Sequence, residues 1–157
     1  VPLNIIKKMG TRVDIAKNSI TIEGTGEIKP FNIKTESFPG FPTDLQAQFM
    51  VAALLANGES KIIEEIFPSR FIHVAELRKL GANIKLKNNT AIVNGVASLN
   101  GARMQASDLR ASACLILAGI IAKNKSEINR VYHLDRGYEK IDSKLMNLGV
   151  KIWREKE

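Results

Sequence analysis

The stretch Leu77-Arg78-Lys79-Leu80-Gly81 decides how this chain folds, because it occurs in three versions. Ile6-Lys7-Lys8-Met9-Gly10 stands before it and Leu145-Met146-Asn147-Leu148-Gly149 after it, with the glycines 71 and 68 residues apart. Each version reads as the last turns of a helix closed by glycine, the residue that most readily turns left-handed just past a helix end. Each is followed by apolar–polar alternation: Arg12-Val13-Asp14-Ile15, Asn83-Ile84-Lys85-Leu86 and Lys151-Ile152-Trp153-Arg154. That period of two predicts strands. A match recurring at fixed distance is the mark of a repeated supersecondary unit.

The correspondence extends outward. Thr43-Asp44-Leu45 matches Ser107-Asp108-Leu109, Ser60-Lys61-Ile62 matches Ser126-Glu127-Ile128, and Arg70 falls on Arg136. The first copy carries an extra stretch around Phe38-Pro39-Gly40-Phe41-Pro42, a loop by its Pro and Gly content. The chain is thus two nearly complete units plus the start of another. Each unit reads strand, strand, strand, helix, strand, helix. Leu45 to Ala56 carries no charge, and Leu109 to Ala122 carries only Arg110. Helices apolar all round must be covered on all sides. His73 to Leu80 and Glu139 to Leu148 instead have one charged face. The expected fold class is therefore α/β, an inside-out barrel with apolar helices inside and sheets outside. Gly58 and Asn124 are the expected left-handed stops of the inner helices.

Composition sets bounds. The 157 residues suffice for one domain with a core, and 45% hydrophobic with 25% charged residues describes a globular chain. No apolar run is long enough to span a membrane. One cysteine excludes an internal disulfide and a multi-cysteine zinc site, and the two histidines stand sixty residues apart. A metal is not expected. The start Val1-Pro2-Leu3, without Met, reads as a piece cut from a longer protein.

Candidate chemistry collects where helices begin and strands end. Thr43 with Gln46 forms a capping-box pattern, and Ser107 is the expected cap of the second inner helix. Asp44 and Asp108 would then lie in first turns, where the helix dipole accommodates a carboxylate without any function. Arg70, Arg110 and Arg136 change the balance. The first and last are expected just after strands Lys61 to Phe67 and Glu127 to His133, on the rim that holds both helix starts. Arginine's planar fork suits carboxylate and phosphate. The bland alternative is local pairing, such as Asp135 with Arg136. The residue after Arg136, Gly137, offers a sharp turn and close ligand approach. Cys114, inside an apolar helix, reads as a core residue; His73 as a surface or packing residue; His133 as structural; Glu139 as ambiguous.

Four segments resemble signatures of the UDP-N-acetylglucosamine enolpyruvyl transferases, a branch of the enolpyruvyl transferase family. They are Phe41-Pro42-Thr43-Asp44-Leu45-Gln46-Ala47-Gln48-Phe49, Ile66-Phe67-Pro68-Ser69-Arg70-Phe71, Asp108-Leu109-Arg110-Ala111-Ser112-Ala113 and Tyr132-His133-Leu134-Asp135-Arg136-Gly137-Tyr138-Glu139. They occur in the family's order. The resemblance implies a bacterial, cytoplasmic, two-domain enzyme of peptidoglycan synthesis that needs no cofactor. Residues 1–157 would be most of its second domain, partnered by a missing N-terminal domain. The substrates implied are UDP-N-acetylglucosamine and phosphoenolpyruvate. By the same resemblance Asp44 is the candidate general base beside the sugar hydroxyl, and Ile66 contacts the sugar nucleotide through its backbone. Arg70 and Arg110 stabilise the anionic substrate, Arg136 binds the phosphoenolpyruvate phosphate, and Asp108 lies in the cleft. The family's cysteine-bearing loop and phosphate-contacting lysine have no match here, and Cys114 is not that cysteine.

Three other readings compete, one of them a solely structural repeat protein whose rim arginines have no ligand. Shikimate enolpyruvyl transferases share the fold and chemistry. A net charge of +7 raises nucleic-acid binding; scattered lysines and little aromatic interleaving weigh against it, so neither nucleic acid nor membrane is an expected partner.

Overall fold

The computed structural model describes residues 1–155. Helix α1 (Pro2–Lys8) leads into the hairpin β1 (Arg12–Ile15) and β2 (Ile20–Glu23), then β3 (Asn32–Lys34), α2 (Gln46–Leu54), β4 (Glu59–Ile63) and α3 (His73–Lys79). The second unit repeats that order: β5 (Asn83–Lys87), β6 (Thr90–Asn94), β7 (Arg103–Gln105), α4 (Leu109–Ile121), β8 (Glu127–Asn129) and α5 (Ile141–Asn147). Gly10, Gly81 and Gly149 close α1, α3 and α5 with φ of +97°, +92° and +90°. The thrice-repeated glycine is thus a backbone requirement, met where a side chain would be strained. Asn124 takes the expected left-handed conformation after α4 (φ 68°), and Gly58 also has positive φ.

In each unit a parallel strand pair flanks an inner helix: β3 with β4 around α2, and β7 with β8 around α4. The β5–β6 hairpin extends the first pair into a sheet of order β3-β4-β6-β5. The first hairpin, β1–β2, pairs only with itself. Inside, Met50, Leu54, Ile62, Leu77, Leu80, Cys114, Leu115 and Ala118 join one core. No α2 residue is exposed. Truncating a core leucine such as Leu115 removes contacts worth about 2–5 kcal/mol.

Several expectations are corrected. Helix α4 is not covered on all sides, since Leu117 and Ile120 are exposed. The segment Lys151–Arg154 is not a strand. A strand needs a partner, and among the described residues none pairs with this segment. Strands β4 and β8 end at Ile63 and Asn129, short of Phe67 and His133. After β4 the amides of Ile66 and Phe67 turn in to the Glu64 carboxylate; after β8 the chain enters a 3-10 turn, Val131–Arg136.

Candidate active site

The starts of the two inner helices differ. Thr43–Leu45 is a 3-10 turn ahead of α2, and no capping box forms. The Thr43 hydroxyl instead donates to Glu64 Oε2 and accepts from Arg70 Nη1, while Gln46 is buried with both side-chain polar atoms unpartnered. At α4 the cap is Asp108, not Ser107. Asp108 Oδ1 accepts from the Arg110 and Ala111 amides, and the Ser107 hydroxyl donates to Oδ2. Burial pushes the Asp108 carboxyl up, but the Ala111 amide, the Ser107 hydroxyl, the Arg110 amide and nearby His73 together hold it below the usual carboxylate range. Asp108 is thus committed to its helix.

Asp44 is not so committed. Its side chain is 64% exposed, and it makes no cap. Arg110 Nε reaches Asp44 Oδ1 at 2.5 Å and Arg70 Nη1 reaches the same oxygen at 3.4 Å. Among the described residues nothing bonds to Oδ2. Both repeat units therefore converge on one carboxylate oxygen and leave the other open. Arg70 is further steadied by stacking over Phe67, 3.9 Å from its ring centre. Ile66 gives its amide to Glu64 at 3.1 Å, so its carbonyl is the backbone group left for a ligand.

Arg136 ends the 3-10 turn and faces an open cleft of about 450 Å³, lined by Ser107, Asp108, Leu109, Arg110, His133 and Arg136. It makes no ion pair among the described residues. The expected local pairing fails because Asp135 is taken by Arg154, with bonds of 2.6 and 2.9 Å that hold its carboxyl below the usual range. Arg154 also bonds Asp142 on α5, and this network raises its own pKa further. Gly137 is not a left-handed turn; its φ is −140°. A Cβ there would meet Leu109 Cδ2 at 2.8 Å, so glycine lets the turn press on the start of α4 and brings Arg136 to the cleft.

A cavity of about 20 Å³ lies deeper, between Thr43, Gln46, Arg70, His73 and Asp108. His73 is buried, and burial lowers its pKa to about 4 against an opposing pull from Asp108. It is a packing residue and not a surface one. Burial pushes the Cys114 thiol well up, with Asp108 adding to it, so it stays protonated and unreactive. Glu139 is exposed beside Lys144. The residue that sequence reasoning missed is Glu64. Its signal was present: Ser60, Ile62 and Glu64 alternate inward along β4 and just past it, placing a carboxylate on the core face.

Two apolar inner helices, parallel strand pairs outside them and arginines meeting at the helix starts define an enolpyruvyl transferase-type α/β fold. The chain belongs to the EPSP synthase (3-phosphoshikimate 1-carboxyvinyltransferase) family, whose model matches residues 2–145. It is 54% identical over 152 residues to UDP-N-acetylglucosamine 1-carboxyvinyltransferase of Pelagibacter ubique and 51% identical to that of Methylacidiphilum infernorum. Each alignment covers 97% of this chain and 36% of the relative, so the chain spans about a third of the relatives' length. Its structure is similar to the enolpyruvyl transferase NikO from Streptomyces tendae, with TM-score 0.88 and 27% identity over 96% of this chain and 35% of that one. EPSP synthase from Acinetobacter baumannii shares the fold at TM-score 0.62 and 16% identity, over 85% of this chain and 33% of that one. No described helix is long and apolar enough to cross a membrane.

Proposed function

We propose that the chain is the C-terminal part of an enzyme that transfers the enolpyruvyl group of phosphoenolpyruvate to the 3-hydroxyl of UDP-N-acetylglucosamine, in bacterial peptidoglycan synthesis in the cytoplasm. The observation that carries this is Asp44, anchored by Arg110 and Arg70 through Oδ1 with Oδ2 open. The sugar hydroxyl adds across the C2–C3 double bond of phosphoenolpyruvate. Its proton passes to Asp44, C2 gains the ether oxygen, and C3 gains a proton from a general acid that the rest of the enzyme supplies. The tetrahedral adduct then loses phosphate and a C3 proton, giving the enolpyruvyl ether. Asp44 is the general base for the first step. Arg136, without an ion pair among the described residues, holds the phosphate, and the outer nitrogens of Arg70 and Arg110 face developing negative charge. The Ile66 carbonyl orients the sugar nucleotide.

The rest of the enzyme completes the site and the barrel. Exposed Leu117 and Ile120 on α4, and Ile15, Ile20 and Ile22 on one face of the β1–β2 hairpin, are the surfaces it would cover. Lys34, Lys61, Lys79, Lys125 and Lys144 each sit beside a glutamate on different elements, which weighs against reading the charge of +7 as a nucleic-acid stripe.

The family model's description supports one second reading, with shikimate 3-phosphate as acceptor. Phosphate release from phosphoenolpyruvate by the full-length protein decides between them. Release that depends on UDP-N-acetylglucosamine supports the first reading; release that depends on shikimate 3-phosphate alone supports the second.

A further inference from the structure

Glu64 is the only fully buried acidic or basic side chain among the described residues, and the reaction above gives it no part. It follows the last residue of β4 and points inward. Oε1 accepts from the Thr35 hydroxyl at 2.7 Å, the Phe67 amide at 3.0 Å and the Ile66 amide at 3.1 Å. Oε2 accepts from the Thr43 hydroxyl at 2.9 Å. The direction of each bond is forced. Amides only donate. The Thr43 oxygen already accepts from Arg70 Nη1 at 2.9 Å, and the Thr35 oxygen from the Glu65 amide at 2.9 Å, so each hydroxyl sends its proton to Glu64. Four donors therefore converge on one acceptor-only group. A buried carboxylate with every bond made is rigid. Through Thr43 that rigidity passes to Arg70 and the residue beside it, Asp44; through the two amides it sets the turn that presents the Ile66 carbonyl.

We propose that Glu64 is a positioning residue for the reaction: it fixes Arg70 against Thr43-Asp44 and sets the backbone of Ile66, without touching substrate. The kinetic part rests on the function proposed above. In Glu64→Gln one acceptor oxygen becomes a donor amide. Turned towards Oε1's partners, it opposes three donors. Turned towards Thr43, it leaves that hydroxyl between two donors with no acceptor for its own proton. The first orientation disturbs the turn that presents Ile66, and the second breaks the link to Arg70. Thr43→Val cuts the same link at a half-buried position and spares the buried carboxylate.

The test is made on the full-length enzyme. Expected is a fall in kcat on the order of tenfold or more in both Glu64→Gln and Thr43→Val, as for a misplaced catalytic group. Val93→Ala on β6, opposite Ser60 and four residues back along β4 from Glu64, serves as a core truncation that lowers the melting temperature without changing kcat. The proposal is overturned if Glu64→Gln keeps its rate, or if Val93→Ala, at a comparable loss of melting temperature, loses as much rate as Glu64→Gln. A crystal structure of Glu64→Gln, or of Thr43→Val should the first not fold, separates this from the functional reading. Arg70 displaced from Thr43-Asp44, or the Ile66 turn displaced, supports the positioning role even if the wild type uses a different acceptor; both in their original place overturn it.

Discussion

Asp44 and Asp108 occupy one position of the repeat, yet chemistry divides them. Asp108 satisfies two amides of its helix start, so Asp108→Ala should cost about 1 kcal/mol in denaturant unfolding, while Asp108→Asn costs less. Asp44 satisfies none, so Asp44→Asn should leave stability within about 0.5 kcal/mol. A carboxamide cannot take the hydroxyl proton, so the same change in the full-length enzyme should lower kcat by about a hundredfold or more. Sugar-nucleotide affinity, measured by calorimetry, should change little. A near-normal rate would leave Asp44 as an anchor for the arginines only.

His73 gives a pH dependence of definite sign. Its folded pKa, about 4, lies below the ordinary 6.5, so the unfolded chain binds more protons between those values. Stability is full above pH 6.5 and falls as the pH drops towards 4, by up to about 3 kcal/mol. Unfolding free energies at pH 7 and pH 4.5 should therefore differ less in His73→Gln than in the wild type. Equal differences would mean that other groups carry the acid sensitivity. Asp108 titrates lower still, so its contribution is lost only in more acid solution.

Among elements, the turn Val131–Arg136 depends on both neighbours. Gly137 lets it rest on Leu109 at the start of α4, and Arg154 holds Asp135 from the other side. Arg136 is thereby exposed at the cleft and makes no ion pair among the described residues. Arg136→Lys keeps the charge and loses the planar fork. In the full-length enzyme it should raise the KM for phosphoenolpyruvate several-fold while stability stays within about 0.5 kcal/mol. Lost stability with unchanged kinetics would make Arg136 a tie for its own turn. The strands fit the same picture. β8 stops at Asn129 because the chain must leave the sheet to reach the rim, a demand that β propensity alone does not register.

At the scale of the whole molecule, the exposed apolar faces of α4 and of the β1–β2 hairpin match a chain spanning about a third of its relatives. Enolpyruvyl transfer needs a site closed against water, and one open cleft does not supply it. Residues 1–157 alone should therefore release no phosphate from phosphoenolpyruvate in the presence of UDP-N-acetylglucosamine. Measurable release would place the complete catalytic set within these residues.

Local chemistry alone determined the repeat, the order of its elements and the two apolar helices. Glycine past a helix end, alternation in a strand and an uncharged helix each follow from neighbouring residues. Asp44, Arg70, Arg110 and Arg136 were legible as rim residues for the same reason. Partnership was not legible, because it joins residues distant in sequence. Only the tertiary structure took Thr43 from a cap to a bridge between Glu64 and Arg70, made Asp108 and not Ser107 the cap of α4, and gave Asp135 to Arg154. Among the described residues it likewise left Lys151–Arg154 without a strand partner and Leu117 and Ile120 of α4 exposed. In each case a side chain or strand satisfies its hydrogen bonds with the nearest group in space, and only folding decides which group that is.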